Sequence, residues 1–145
     1  MYIDSHNHTK HYSPDAKMSI DELISVCEEK SCEAIAITEH YELDYPYKED
    51  ELFQLFDIDK YQADFSSWQQ KSPHTKLLMG MEFGYQAHVA QEIDRISSSY
   101  PFDTVILSNH LFEGVDFYFD RDVYARYSKD ELIQKYVASL VEMAD

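Results

Sequence analysis

The segment Ala34-Ile-Ala-Ile-Thr-Glu-His40 decides which fold this sequence predicts. Its first five residues, through Thr38, form a short run without charges, which is typical of a parallel strand that helices cover on both faces. The run ends in Glu39 and His40, two side chains that can bind metals or transfer protons. A buried strand with such groups at its carboxyl end predicts an α/β fold whose chemistry lies at that edge of the sheet.

Strands and helices alternate along the rest of the chain. Three further strands are predicted, by a short strand-like segment at residues 1–6 and by the runs at 76–83 and 104–108. Amphipathic stretches predict four helices, at about 20–30, 59–71, 86–98 and from 128 onward. Capping boxes, Ser19-Ile-Asp-Glu22 and Ser128-Lys-Asp-Glu131, mark the starts of the first and last helix. This order predicts a parallel sheet with helices outside it, in a single domain spanning residues 1–145.

The composition limits the partners that the protein can have. The chain has 145 residues, and its 12 basic and 28 acidic side chains give a formal net charge of −16. Such a charge repels nucleic acid and anionic lipid, so we expect neither as a partner. It would also repel a small phosphate ester unless metal cations reversed the local charge. No signal peptide or membrane-length apolar run is evident, so we expect a cytoplasmic protein in which Cys27 and Cys32 are free thiols.

Each predicted strand carries residues suited to metal binding at or just after its carboxyl end. They are Asp4, His6 and His8 at the first strand, Glu39 and His40 at the second, Glu82 at the third and His110 at the fourth. Because the carboxyl ends of parallel strands share one edge, we expect these side chains to converge. Any one of them alone has an ordinary explanation, such as a helix cap, a turn or a surface acid. Together they predict a pocket for zinc, iron or manganese.

Other polar residues have roles that the sequence leaves open. We expect His11, His74 and His88 to lie outside the pocket. The tyrosine-rich stretch 41–58 predicts a long loop, either packed against the domain or acting as a lid on the substrate side. Two arginines that follow the fourth strand, Arg121 and Arg126, could clamp a phosphate or could simply offset the acidic surface.

Four short motifs resemble those of the PHP (polymerase and histidinol phosphatase) superfamily of metal-dependent phosphoesterases. They are His6-Asn-His8, Thr38-Glu-His40, Gly80-Met-Glu82 and Ser108-Asn-His110. The resemblance implies a distorted (β/α)7 barrel, of which this chain would form about half, and two to three divalent metal ions. It implies that His6, His8 and Glu82 hold one metal, and that Glu82 bridges to a second, which His110 also binds. These four residues would be catalytic through the water that the metals activate.

A further segment, Ser13-Pro-Asp-Ala16, is similar to the histidinol-phosphatase branch of the superfamily. The resemblance implies that Asp15 and His40 hold a third metal, although residues 14–15 alone would predict only a turn. Asp4 and Glu39 are expected beside the ligands, supporting them without binding metal.

The sequence departs from the superfamily pattern toward its end. A complete member continues with a Gly-His motif and then an Asp-x-His pair, and this chain has neither, so we expect an N-terminal part that is truncated at its C-terminus. An open sheet would expose a strand edge and core faces, so we also expect self-association.

The resemblance favours a phosphatase that converts histidinol phosphate to histidinol in histidine biosynthesis. One alternative keeps the metals and changes the substrate, for example to phosphotyrosine protein or a nucleotide. Another alternative is a metal-binding fragment without catalytic activity.

Overall fold

The computed structural model describes residues 2–13, 15–47, 55–116 and 119–144. Four strands form one sheet in the order β1-β2-β3-β4, with every neighbouring pair parallel: β1 Ile3–Asn7, β2 Ala34–Tyr41, β3 Lys76–Gly84 and β4 Thr104–Ser108. The helices are α1 Ile20–Glu29, α2 Ile58–Gln69, α3 Ala90–Ser99, α4 Val123–Arg126 and α5 Lys129–Ala144. The predicted alternation and the parallel sheet, which forms a curled half-barrel, are confirmed.

The two central strands place apolar and functional side chains on opposite faces. Side chains alternate along a strand, so odd-numbered and even-numbered residues of β2 and β3 point to different sides. The odd-numbered ones form the hydrophobic core with the helices: Ile35, Ile37, Tyr41, Leu77, Met79, Met81 and Phe83. The even-numbered ones include Thr38, His40, Gly80 and Glu82, so the second face carries small and polar groups.

A capping box begins helix α1, and a buried tyrosine joins helix α2 to the sheet. The predicted capping box of α1 is present, with Ser19 and Glu22 each accepting a hydrogen bond from the other's backbone N–H. Tyr61 of α2 is fully buried, and its hydroxyl lies 2.9 Å from the carbonyl oxygen of Ile37 and 3.1 Å from that of Gly80. Because these carbonyls belong to β2 and β3, Tyr61 joins α2 to both central strands.

Several element boundaries differ from the predictions. β2 continues to Tyr41, three residues beyond the predicted end at Thr38, because its hydrogen-bonded register with β3 runs on to Phe83. A short antiparallel hairpin, β5 Leu111–Phe112 and β6 Val115–Asp116, follows β4 and was not predicted. Helix α4 was also missed, and a 3₁₀ turn at Ala87–Val89 precedes α3.

The last helix leaves its apolar side uncovered. Helix α5 has no buried residue within its described part, although its capping box at Ser128 and Glu131 is present. Its exposed apolar side chains are Ile133, Tyr136, Val137, Leu140 and Val141, and we call them the α5 stripe. Of the strands that the structure describes, β1 and β4 each pair on one side only. Within the described part of the chain, the sheet therefore has two edges that no further strand covers.

Two further features concern solvent and lipid contact. Cys27 and Cys32 are free thiols, as predicted, and both are buried. Within the described ranges, no helix is both long and apolar enough to cross a bilayer.

Candidate metal centre

Glu82, in β3, lies at the centre of a cluster of histidines. Its carboxylate oxygen Oε2 is 2.8 Å from Nε2 of His6 and 3.2 Å from Nε2 of His8. The other oxygen, Oε1, is 3.1 Å from Nε2 of His110 and accepts a hydrogen bond from the hydroxyl of Ser108. Only 3% of Glu82 is exposed. One buried carboxylate thus presents one oxygen to His6 and His8 and the other oxygen to His110.

The two histidines that flank Asn7 both reach this carboxylate. The pairing of β1 with β2 shifts register between Asp4 and Asn7, so this part of β1 is irregular. Such a shift re-aims side chains at the end of a strand. The rings of His6 and His8 lie edge to face, with centroids 4.9 Å apart. The predicted convergence of His6 and His8 on one side of the sheet is therefore observed.

His40 lies beside Glu82 because these two residues are register partners on β2 and β3. Its ring stacks on that of His8, with centroids 4.1 Å apart and planes at 6°. Its Nδ1 is 3.5 Å from Oε2 of Glu82, and its Nε2 is 3.4 Å from Oδ2 of Asp15. Asp15, from the loop after β1, is half exposed. The structure therefore brings together all six residues expected to bind metals: His6, His8, Asp15, His40, Glu82 and His110.

Glu39 holds the loop that carries Asp15. It is fully buried, and both of its carboxylate oxygens accept hydrogen bonds from the backbone N–H of Thr9, at 3.0 and 3.1 Å. The hydroxyls of Thr9 and Ser13 donate to it at 2.5 and 2.6 Å. Ser13 in turn accepts a hydrogen bond from the backbone N–H of His40. Glu39 therefore connects the β1–α1 loop to β2 directly behind the histidines.

The ionisation of the cluster follows from its burial and its hydrogen bonds. Burial raises the pKa of Glu82, but hydrogen bonds from His110 and His8 outweigh burial and hold this pKa well below its usual range. Burial lowers the pKa of His110, whereas its hydrogen bonds with Glu42 and Glu82 raise it, and the resulting pKa is about 10. The pKa of His40 is lowered, first by burial and then by the charge of His8. In the metal-free protein, the proton retained by His110 therefore offsets part of the negative charge of the buried carboxylates.

The donor set fits divalent cations. Two groups of potential ligands each have their donor atoms within 4.8 Å of one another: His6, His8 and Glu82, and His40, Glu42 and His110. Among the described residues no lysine or arginine pairs with Glu82 or Glu42, so the basic groups that face these carboxylates are imidazoles. Nδ1 of His8 is buried without a hydrogen-bond partner in the described part of the chain. Imidazoles and shared carboxylates in this arrangement suit zinc, iron or manganese.

Comparison with known proteins shows the family. The model of the PHP domain matches residues 4–144. This chain belongs to the PHP domain family. The resemblance suggested by the four motifs is therefore confirmed.

Relatives of this PHP domain include two histidinol-phosphatases. A probable histidinol-phosphatase of Clostridium acetobutylicum is 35% identical over 141 residues, covering 97% of this chain and 51% of that protein. A histidinol-phosphatase of Lactococcus lactis subsp. lactis is 26% identical over 146 residues, again covering 97% of this chain and 51% of that protein. The chain spans about half the length of the curated relatives it matches.

A solved structure shares the fold of this PHP domain. It is the crystal structure of histidinol phosphate phosphatase from Lactococcus lactis subsp. lactis Il1403, complexed with zinc, L-histidinol and phosphate. The TM-score is 0.69 at 24% sequence identity, and the match covers 79% of this chain and 42% of that chain. The α/β half-barrel predicted for this chain is thus found as part of a larger known fold.

One residue of the PHP domain site was missed by sequence reasoning. Glu42 is 5% exposed, and its Oε1 is 2.6 Å from Nδ1 of His110 and 3.7 Å from Nδ1 of His40. The signal was available in the two-residue spacing between His40 and Glu42. It was overlooked because the predicted strand ended at Thr38, and only a longer β2 places Glu42 beside His40.

Other predicted site residues have contacts elsewhere. Arg126 pairs with Asp120 at 3.4 Å, and Arg121 is exposed, and neither has a described contact with the histidine cluster. Their role in phosphate binding stays a prediction. Asp4, within β1, accepts a hydrogen bond from the backbone N–H of His6.

The histidines expected outside the pocket make contacts away from it. His11 faces Trp68, His74 donates its backbone N–H to Glu28, and His88 pairs with Asp44. These residues therefore provide matched controls for substitutions in the cluster.

The loop after β2 packs against the domain where the structure describes it. The hydroxyl of Tyr45 lies 2.7 Å from Oδ2 of Asp116, and that of Tyr47 accepts a hydrogen bond from the backbone N–H of Asp116. The loop thus contacts the β5–β6 hairpin beside the metal centre. The proposed lid over 41–58 falls partly on residues 48–54, which lie outside the described residues.

Proposed function

We propose that this PHP domain is a metal-dependent phosphoesterase of the histidinol-phosphatase type, which hydrolyses histidinol phosphate to histidinol in histidine biosynthesis. The observation that supports this proposal most is the buried carboxylate of Glu82, shared between His6 and His8 on one oxygen and His110 on the other. The names of the two relatives support the substrate. A role in this pathway would place the protein in the cytoplasm.

The proposed ligand sets follow the contacts of the cluster. His6, His8 and Glu82 would hold one divalent ion, and Glu82 with His110 a second, because the two carboxylate oxygens face these two groups separately. His40 and Asp15 would hold a third. Zinc is favoured because the related Lactococcus lactis crystal structure is a zinc complex, and iron or manganese suits the same ligands. Bound divalent ions would lower the pKa of a coordinated water and stabilise charge on the phosphoryl oxygens.

The protein's own residues would prepare this site before any ion binds. Ser108 donates to Oε1 of Glu82 and so fixes the orientation of the carboxylate. Glu39 holds the loop that carries Asp15 against β2. Since the chain carries a net charge of −16, an anionic ester would approach only where divalent cations offset these acids.

A phosphatase assay with matched variants tests the proposal. Wild-type protein supplied with zinc or manganese should release inorganic phosphate from histidinol phosphate. His6→Ala and His8→Ala should abolish this activity, whereas His74→Ala should retain it, because His74 lies in the loop between α2 and β3. Activity that survives both substitutions, or that persists in a strong chelator, would contradict the proposal. Parallel assays with a phosphotyrosine peptide and a nucleotide would identify a different substrate.

A second candidate is a metal-binding fragment without turnover. It is favoured by the length of the match, since the chain spans about half of its relatives. Wild-type protein that binds zinc stoichiometrically but releases no phosphate from any of the three substrates would support this candidate over the first.

We also propose that the domain associates with a second copy of itself. The support is the apolar α5 stripe together with the sheet edges at β1 and β4, which no described strand covers. Exposed side chains Tyr2 and Ile3 at the β1 edge could pack against the stripe of another molecule.

A further inference from the structure

Glu42 contacts the outer nitrogen of a proposed metal ligand. Its Oε1 lies 2.6 Å from Nδ1 of His110, while Nε2 of the same ring lies 3.1 Å from Oε1 of Glu82. The two nitrogens of an imidazole point away from each other. Glu42 and Glu82 therefore lie at opposite edges of the His110 ring, and an ion shared by His110 and Glu82 would lie across the ring from Glu42.

The strand next to Glu42 leaves room for its carboxylate. A Cβ atom added at Gly84, the last residue of β3, would overlap Oε2 of Glu42 and lie 2.6 Å from its Cδ. No side chain other than hydrogen fits there while Glu42 keeps its position. Glu42 is also 5% exposed, so its carboxylate is held in a closed place and not in solvent. The position of the Glu42 carboxylate thus depends on a glycine at position 84.

We propose that Glu42 is a positioning residue, which holds a proton on Nδ1 of His110 and thereby presents Nε2 of that ring to the metal centre. The inference rests on the proposed function. A histidine that binds metal through one nitrogen commonly donates its other N–H to a carboxylate, which fixes both the tautomer and the plane of the ring. The 2.6 Å contact, the burial of Glu42 and the space above Gly84 give His110 this arrangement.

The competing explanation is that Glu42 binds a metal itself. Its Oε1 is within 3.7 Å of Nδ1 of His40, so the group of His40, Glu42 and His110 could also surround an ion. In that case the contact with Nδ1 of His110 would be replaced when the ion binds. The two explanations differ in what a glutamine at position 42 does, because a carboxamide oxygen still accepts a hydrogen bond but is a much weaker metal ligand than a carboxylate.

Three variants and one matched control separate these explanations. Glu42→Ala removes the acceptor, Glu42→Gln keeps the shape and one acceptor oxygen, and Gly84→Ala displaces the carboxylate without changing its chemistry. Asp44→Asn is the control, because Asp44 forms a similar pair with His88, with Oδ2 and Nε2 2.9 Å apart, outside the cluster. Asp44 has a positive φ of 52°, which asparagine tolerates.

The first readout is nitrogen-15 NMR of the His110 ring in the metal-free chain. Wild-type protein should show a slowly exchanging proton on Nδ1, which Glu42→Gln and Asp44→Asn retain. Glu42→Ala and Gly84→Ala should lose that protection. An unprotonated Nδ1 in the wild-type chain, or an unchanged signal in Glu42→Ala, would overturn the proposal.

The second readout is zinc affinity, measured by competition with a chromophoric chelator. We expect Glu42→Ala and Gly84→Ala to weaken zinc binding by about 10- to 100-fold, as removal of such a partner usually does, and Glu42→Gln to weaken it by less than about tenfold. Asp44→Asn should bind as the wild type does. A loss in Glu42→Gln as large as that in Glu42→Ala would overturn the proposal in favour of direct metal binding.

The two readouts also distinguish this proposal from the proposed function. A wild-type chain that takes up no zinc would contradict the metal-dependent function, while the ring-proton spectra would still decide whether Glu42 holds Nδ1 of His110. Normal zinc uptake with an unchanged spectrum in Glu42→Ala would leave the proposed function standing and overturn the role of Glu42.

Discussion

Metal binding by this PHP domain should depend steeply on pH well above the range in which an ordinary histidine titrates. The pKa of His110 is raised from 6.5 to about 10 because, despite burial, Glu42 and Glu82 both stabilise its protonated form. Between pH 6.5 and about pH 10, His110 in the metal-free fold therefore keeps a proton that the same residue loses in an unfolded chain. A metal that binds Nε2 of His110 must displace the proton on that nitrogen, while Nδ1 keeps its own. The apparent metal affinity should therefore rise about tenfold per pH unit from pH 7 to pH 8.5.

Zinc titrations at several pH values check this expectation. Chelator competition at pH 7.0, 7.5, 8.0 and 8.5 gives the slope, and calorimetry in two buffers of different ionisation enthalpy counts the protons released. The variant His110→Asn should release about one proton fewer per zinc than the wild type. An affinity that stays constant between pH 7 and pH 8.5 would refute the reasoning, since it would mean that His110 is already neutral in the metal-free protein.

The sign of the stability effect follows from the same raised pKa. His110 stabilises the metal-free fold fully below pH 6.5, and this contribution is lost as the pH rises through about 10. In the presence of zinc, stability should instead rise with pH over this range, because zinc binds His110 in place of a proton.

Two further predictions concern packing and association. Tyr61→Phe removes a buried hydroxyl that contacts the carbonyl oxygens of Ile37 and Gly80. It should lower the free energy of unfolding, measured in urea, by about 1–2 kcal/mol. An unchanged urea midpoint would contradict the role given to this contact. Val137→Glu places a charge in the α5 stripe, where Val137 is 50% exposed, and should abolish self-association in light scattering at high concentration. It should not lower the thermal midpoint measured at a low concentration, where the wild type is monomeric. A wild-type chain that is already monomeric at high concentration would contradict the proposed association.

Much of the fold was predictable because its determinants are local. Short buried runs such as Ala34–Thr38 identify the strands, and the capping boxes at Ser19 and Ser128 give the starts of two helices. Once the sheet is known to be parallel, residues at different strand ends must share an edge, which is why His6, His40, Glu82 and His110 could be grouped before any distance was known.

The contacts within the site required the tertiary structure. Which oxygen of Glu82 faces which imidazole depends on the irregular end of β1 and on the register of β2 with β3. Glu42 enters the cluster only because β2 runs on to Tyr41 and Gly84 leaves space beside it. The spacing of apolar residues reveals neither the full length of β2 nor the space beside Gly84.

By itself, the sequence determined the four parallel strands, the helices between them and most of the side chains that meet at one edge, because periodicity, capping and strand ends are properties of neighbouring residues. It also predicted an amphipathic last helix. Only the tertiary structure decided which apolar side chains are covered and which imidazole keeps a proton beside which carboxylate. Burial and pKa depend on what other segments place nearby, as the exposed stripe of α5 and the raised pKa of His110 show.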